Sequence, residues 1–138
     1  MVTFHFNEVS FNLTERRRLK AFIEKLFKQY GKKLESLTYV FCRDEYLLQI
    51  NRDFLKHDYY TDIITFDLSE TSSIIGEIYI SVDRVRDNAE RTHSSLREES
   101  HRVIFHGALH LCGFNDKTTG DKLQMTKLEE EALVKYFK

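Results

Sequence analysis

The run of residues 106–116 constrains the fold of this chain more than any other segment. It contains two histidines four positions apart, His106 and His110, and then Asp116. Four residues turn an α-helix through about 400°, so side chains at this spacing lie on one face. Gly113 stands where helices commonly end in a left-handed residue, and the turn that follows can return Asp116 to the imidazoles. The segment therefore predicts a three-ligand metal site on a helix and the following turn.

Two imidazoles, one carboxylate and an open fourth position are typical of catalytic zinc. The spacing is also the ligand skeleton of the metzincin proteases, His-x3-His-x2-Gly-x2-(His/Asp). Those proteases carry a glutamate after the first histidine as general base, and this chain has Gly107 there. Glycine cannot accept a proton, so the protease base is missing. Cys112 lies about 240° around the helix from His106, which points its sulfur away from the metal.

The same segment resembles the signature of the YbeY-type endoribonuclease family, an rRNA maturation family, which reads His-Gly-x-Leu-His-Leu-x-Gly-(Tyr/Phe)-Asp-His. Two upstream stretches agree with this family. Residues 50–66 resemble its Leu-Asn…Asp-x-Pro-Thr-Asp-Val-Leu-Ser-Phe, and residues 75–81 resemble its Leu-Gly-Asp-Ile-x-Ile-Ser. The resemblance is close over residues 50–116, and the length of 138 residues suits a single such domain over residues 1–138.

The chain departs from the family pattern at three positions. Asp116 stands where the family's third ligand is usually histidine, and a carboxylate oxygen is an accepted zinc ligand. Asn115 stands where the family often has aspartate. The family's catalytic arginine corresponds to Leu55, beside which Lys56 offers a positive charge without a bidentate fork. We therefore expect one Zn²⁺ per chain, bound by His106, His110 and Asp116, and we assign no catalytic residue.

The resemblance implies a zinc-dependent, single-strand-specific endoribonuclease that acts in ribosomal RNA processing, at the 3′ end of the small-subunit RNA, and in ribosome biogenesis. The partners that it implies are RNA, as the ribosomal RNA precursor, and the ribosome or its small subunit. Two alternatives remain open. One is a metal-dependent hydrolase of the metzincin-like protease type, which shares the ligand skeleton. The other is a largely non-catalytic ribosome-assembly factor, which the missing arginine favours.

Two cations are candidates for substrate binding. Arg102 lies on the histidine face of its helix, where it can contact a phosphate or pair with Glu99, and the pairing is the favoured interpretation. Lys56 lies in a predicted loop that the family uses near its site. Thr61 and Asp62 are expected to fix the start of a strand rather than contact substrate. Most of the eleven phenylalanines fall at core spacing, so we predict no aromatic platform for bases.

The composition is that of an ordinary globular protein, with 41% hydrophobic and 31% charged residues. The net charge of −1 does not indicate a general nucleic-acid binder, so RNA binding would need a local basic patch. No apolar run approaches the roughly 20 residues of a membrane span, and no secretory signal is recognisable. Cys42 and Cys112 make no disulfide framework. We expect a cytoplasmic protein with neither a membrane nor a disulfide partner.

Hydrophobic periodicity predicts four strands and five helices. The strands are expected at residues 2–6, 36–42, 62–68 and 74–80, the last two as a hairpin, and the helices at residues 14–30, 44–55, 82–93, 97–112 and 119–136. In the last helix the core-facing stripe is expected to be Leu123, Leu128, Ala132, Leu133 and Phe137. The charged residues expected in solvent are Glu129, Glu130 and Lys135. This order predicts an α+β fold, with a small mixed four-stranded sheet, about five helices and the metal site on a central helix.

Overall fold

The structure, a computed structural model, describes residues 1–138. The strands are β1 (Val2–Phe6), β2 (Lys33–Cys42), β3 (Ile63–Asp67) and β4 (Ser73–Ser81). The helices are α1 (Arg16–Gln29), α2 (Asp44–Leu55), α3 (Val82–Arg91), α4 (Leu96–Leu111) and α5 (Thr119–Phe137). All of the predicted strands and helices are confirmed. Their ends differ from the predicted ones by a few residues, most of all in β2, which begins at Lys33.

The four strands form one sheet in the order β1-β2-β4-β3. β2 pairs in parallel with β1 on one side and with β4 on the other. β3 pairs antiparallel with β4, which confirms the predicted hairpin. Parallel neighbours need crossover connections, and α1 connects β1 to β2 while α2 and β3 lie between β2 and β4. The expected α+β fold with a mixed sheet is therefore confirmed.

Helix α4 lies against this sheet and contributes a large part of the core. Ile104 and Phe105 of α4 are fully buried, as is Ile78 of β4. The helix approaches the sheet closely at Gly107, where an added Cβ would lie 2.7 Å from Cδ1 of Ile78 and 3.0 Å from Cδ1 of Ile63. A larger residue at position 107 would therefore push its side chain into the packing between helix and sheet. The position that corresponds to the protease glutamate is thus occupied by core packing.

The buried stripe of α5 differs from the predicted one. Its buried members are Met125, Glu129, Ala132, Leu133 and Tyr136. Leu123 is 70% exposed, so its predicted place in the core is wrong. It lies two residues before Met125, which is about 200° around the helix. Glu129 is only 7% exposed, so its predicted place in solvent is also wrong.

The two cysteines, Cys42 and Cys112, are both free and buried. Burial raises the pKa of each thiol to about 12, so both are protonated at neutral pH. None of the helices combines the length and the apolar character that a membrane crossing requires.

Candidate metal centre

The candidate centre is built where α4 ends and the chain turns towards α5. His106 and His110 lie one turn apart on α4, with ring centroids 4.7 Å apart. Gly113 follows the helix with a φ of +104°, a conformation that residues with a side chain rarely adopt. The amide of Phe114 then donates to the carbonyl oxygen of Leu109 at 3.1 Å and closes the turn. The helix and glycine turn expected from the sequence are therefore present.

Asp116 returns to the histidines, as the sequence predicted. Its Oδ2 lies 3.4 Å from Nε2 of His106 and 3.2 Å from Nε2 of His110. The three candidate ligand atoms all lie within 4.8 Å of one another. Two imidazole nitrogens and one carboxylate oxygen form a donor set that zinc accepts. The residues at this position therefore fit a single bound metal ion.

Glu129 of α5 supports the site from behind His106, and the sequence analysis missed this residue. Its Oε2 accepts a hydrogen bond from Nδ1 of His106 at 2.6 Å. When Nδ1 donates this bond, the neutral imidazole keeps the lone pair of Nε2 on the side of Asp116. Burial lowers the pKa of His106, but the bond to Glu129 and the charges of Glu129 and Asp116 raise it above its ordinary value overall. A carboxylate behind a histidine is the usual support of a metal-binding imidazole.

Arg102 belongs to the same network. It donates to Oε1 of Glu129 at 3.2 Å and also pairs with Glu130. No ion pair joins it to Glu99, so the favoured pairing of Arg102 with Glu99 is wrong. The reason is that α5 packs on α4 and brings its own glutamates closer. A signal for Glu129 was present in the sequence, since Met125 and Leu133 lie four residues to either side of it on one helix face.

A cavity of about 490 Å³ adjoins the histidines, between α4 and β3. Arg102 is its one basic side chain besides the histidines, against five carboxylates from Asp62, Asp67, Glu99, Asp116 and Glu129. The net negative charge of this cavity wall favours binding of a cation. It does not by itself attract a phosphate.

Thr61 and Asp62 both line this cavity, although they were expected only to fix the start of β3. They do both. The carboxylate of Asp62 accepts from the amide of Asn88 at 3.1 Å, and its carbonyl oxygen accepts from the backbone N–H of Ser81 at 2.9 Å. Lys56, in contrast, is not part of the cavity wall. It is exposed at the end of α2 with a left-handed φ of 59°.

Comparison with known proteins gives the family. The family model described as "Endoribonuclease YbeY" matches residues 4–137. The chain belongs to the YbeY family. The resemblance stated from residues 50–116 is therefore confirmed, and it extends over nearly the whole chain.

Curated YbeY relatives are similar over almost their full length. A protein named endoribonuclease YbeY from Cytophaga hutchinsonii is 47% identical over 133 residues, which is 96% of this chain and 93% of the relative. One from Parabacteroides distasonis is 43% identical over 132 residues, again 96% and 93% of the two chains. The solution structure of TM1509 from Thermotoga maritima has a TM-score of 0.63 at 22% identity and covers 99% of this chain and 89% of that one. That likeness shows the fold alone.

Glu99 of this YbeY-family chain is a mostly buried residue whose carboxylate lines the cavity and has no partner in the protein. The residue is 8% exposed, and no hydrogen bond or ion pair reaches its side chain. Burial raises its pKa, the charge of Arg102 lowers it in part, and the charges of Asp62 and Glu129 raise it further. Folding therefore favours the neutral form of this carboxyl group.

We expect Glu99→Gln to raise the free energy of unfolding of the metal-free protein at about pH 7, where the unfolded chain ionises Glu99 freely. The gain should disappear towards about pH 4, because the wild type loses its penalty as the pH falls through the raised pKa. Denaturant unfolding at both pH values measures this. The control is Glu70→Gln, at an exposed glutamate between β3 and β4, which should show no such gain. A Glu99→Gln protein less stable than wild type at about pH 7 would contradict the prediction.

Proposed function

We propose that this chain is a metal-dependent endoribonuclease whose His106, His110 and Asp116 bind one Zn²⁺. The observation that carries the proposal is the convergence of three ligand atoms within 4.8 Å in a member of the YbeY family. The nitrogen and oxygen donors support zinc as the metal. Cys112 is not among the converging side chains, so sulfur lies outside the proposed ligand set.

Each residue of the site has its own proposed role. His106 and His110 offer Nε2, and Asp116 offers Oδ2. Glu129 keeps His106 in the tautomer and orientation that leave Nε2 available. When bound, the ion supplies Lewis acidity, which acidifies water and polarises a phosphoryl oxygen.

Arg102 is the proposed phosphate contact inside the cavity. Its bonds to Glu129 and Glu130 use Nη1 and Nη2, and a guanidinium has five N–H donors, so donors remain for a substrate oxygen. Lys56 is the second proposed substrate contact. It lies outside the cavity wall, so it would act on RNA that extends beyond the cleavage point.

We infer single-stranded RNA as the substrate, because the backbone of an unpaired strand can reach a recessed site. The relatives' printed name supports RNA as the class of substrate. The family resemblance supports the narrower role, which is processing of the ribosomal RNA precursor at the 3′ end of the small-subunit RNA, on the ribosome or its small subunit, in the cytoplasm.

A ribosome-assembly factor with little catalysis is the second candidate, because the uncharged Leu55 occupies the position of the family's arginine. A metzincin-like protease has less support. Position 107, where those proteases carry the general base, is packed against Ile78 and Ile63 of the sheet.

Metal content tests the ligand assignment. We expect about one zinc per chain in the wild type, and loss of tight binding in His106→Ala and His110→Ala, because two remaining ligands do not hold the ion. Asp116→Asn should weaken binding, whereas Asp116→His should retain it. Glu129→Ala should weaken zinc binding about 10–100-fold, and Glu131→Ala, at an exposed position of the same helix, should not. Full occupancy in either histidine variant, measured by elemental analysis after dialysis, would overturn the assignment.

Cleavage assays test the activity. We expect the zinc-loaded protein to cleave unstructured RNA, with no cleavage in chelator or in His110→Ala, and no hydrolysis of casein. Lys56→Ala should slow RNA cleavage without changing the zinc content, because it removes a cation but no ligand. RNA cleavage that persists in His110→Ala would indicate a contaminating nuclease. Zinc-loaded protein that binds ribosomes without cleaving RNA would favour the assembly factor.

A further inference from the structure

The exposed aromatic side chains of this protein are confined to one stretch of the chain. They are Tyr46, Phe54, Tyr59 and Tyr60, with exposed fractions of 45%, 69%, 54% and 53%. Three of them lie in residues 54–60, which connect the end of α2 to β3. We call this stretch the 54–60 segment. Exposed clusters of large apolar groups commonly mark binding surfaces.

The backbone of the 54–60 segment is held in place. The side-chain amide of Asn51, itself 1% exposed, donates to the carbonyl oxygen of Tyr59 at 2.9 Å. The backbone N–H of His57 donates to the carbonyl oxygen of Asn51 at 3.1 Å. An ion pair between Arg52 and Asp58 adds a third connection to α2. The rings are therefore presented to solvent on an ordered backbone.

The rings form flat surfaces with a cation nearby. The rings of His57 and Tyr59 are stacked, with centroids 5.1 Å apart and planes 20° apart, and a 2.9 Å hydrogen bond joins Nδ1 to the hydroxyl oxygen. The guanidinium of Arg84, which also pairs with Asp44 and Asp87, lies 5.8 Å from the centroid of the Tyr60 ring. Flat aromatic surfaces beside cations are what unpaired bases stack on, and every base has a π face.

The segment also leads directly into the candidate centre. Tyr60 precedes Thr61 and Asp62, which line the cavity beside His106. That wall is acidic, and its one guanidinium already contacts two glutamates, so attraction of phosphates would hold RNA weakly there. Stacking requires no net positive charge, and the chain as a whole carries −1.

We propose that the 54–60 segment is a base-stacking platform that binds unpaired nucleotides of single-stranded RNA next to the cleavage point, through the rings of His57, Tyr59 and Tyr60. The inference rests on the proposed ribonuclease function and adds how the substrate is held. It selects single strands because a duplex buries the faces of its bases. The sequence analysis predicted no aromatic platform because it weighed the phenylalanines, most of which fall at core spacing. The proposed platform consists instead of exposed histidine and tyrosine rings.

The test measures the binding of a fluorescently labelled oligouridine RNA of about 12 nucleotides by anisotropy, in chelator so that the strand stays intact. The double variant Tyr59→Ala/Tyr60→Ala should bind at least about tenfold more weakly than wild type. The double variant Tyr59→Phe/Tyr60→Phe keeps the rings and should bind like wild type. Tyr46→Ala, an exposed tyrosine outside the segment, is the matched control and should leave the affinity unchanged.

Further measurements separate the platform from other causes. The affinity ratio between wild type and the double alanine variant should be similar at low and high salt, because stacking is not screened. In the zinc-loaded protein the same substitutions should raise KM for RNA and leave kcat and zinc content nearly unchanged. Equal RNA affinity in wild type and the double alanine variant, with metal-dependent cleavage intact, would overturn the platform alone and would point to a protein partner for the rings. A wild type that neither binds nor cleaves RNA would overturn the proposed function as well.

Discussion

The close contact of α4 with the sheet is the constraint on which the rest of the structure depends. Gly107 lets the helix lie directly on Ile78 and Ile63, and the neighbouring residues of α4 fill the core. The helix is thereby fixed in rotation, so that His106 and His110 remain partly exposed towards the cavity. The same contact leaves no room for a protease base at position 107.

A second layer comes from α5, which packs on α4. Its buried Glu129 binds both His106 and Arg102, so one carboxylate orients a candidate ligand and a candidate phosphate contact together. A buried charge without partners would destabilise the fold, but Glu129 has two. The function that we propose therefore depends on contacts between two helices as much as on the three candidate ligands.

The sequence was sufficient for the parts of the structure that local patterns determine. Periodicity predicted every strand and helix, and the spacing of His106, His110, Gly113 and Asp116 predicted the convergence at the site. The features that the sequence analysis missed depend on long-range packing. The partners of Arg102 depend on how α5 lies on α4, and the exposure of Tyr59 and its neighbours depends on which surfaces the fold leaves uncovered. Glu129 lies four residues from both Met125 and Leu133, a spacing that indicates the buried face of α5. The charged residues around it instead suggested an exposed face.

The central claim is that nitrogen and oxygen ligands from His106, His110 and Asp116 surround one zinc ion. X-ray absorption at the zinc edge of the loaded protein tests this claim most directly. The account predicts a first shell of nitrogen and oxygen atoms at about 2.0–2.2 Å, with the outer-shell scattering of two imidazoles. A sulfur atom at about 2.3 Å would contradict it, because that distance would place a cysteine in the ligand set.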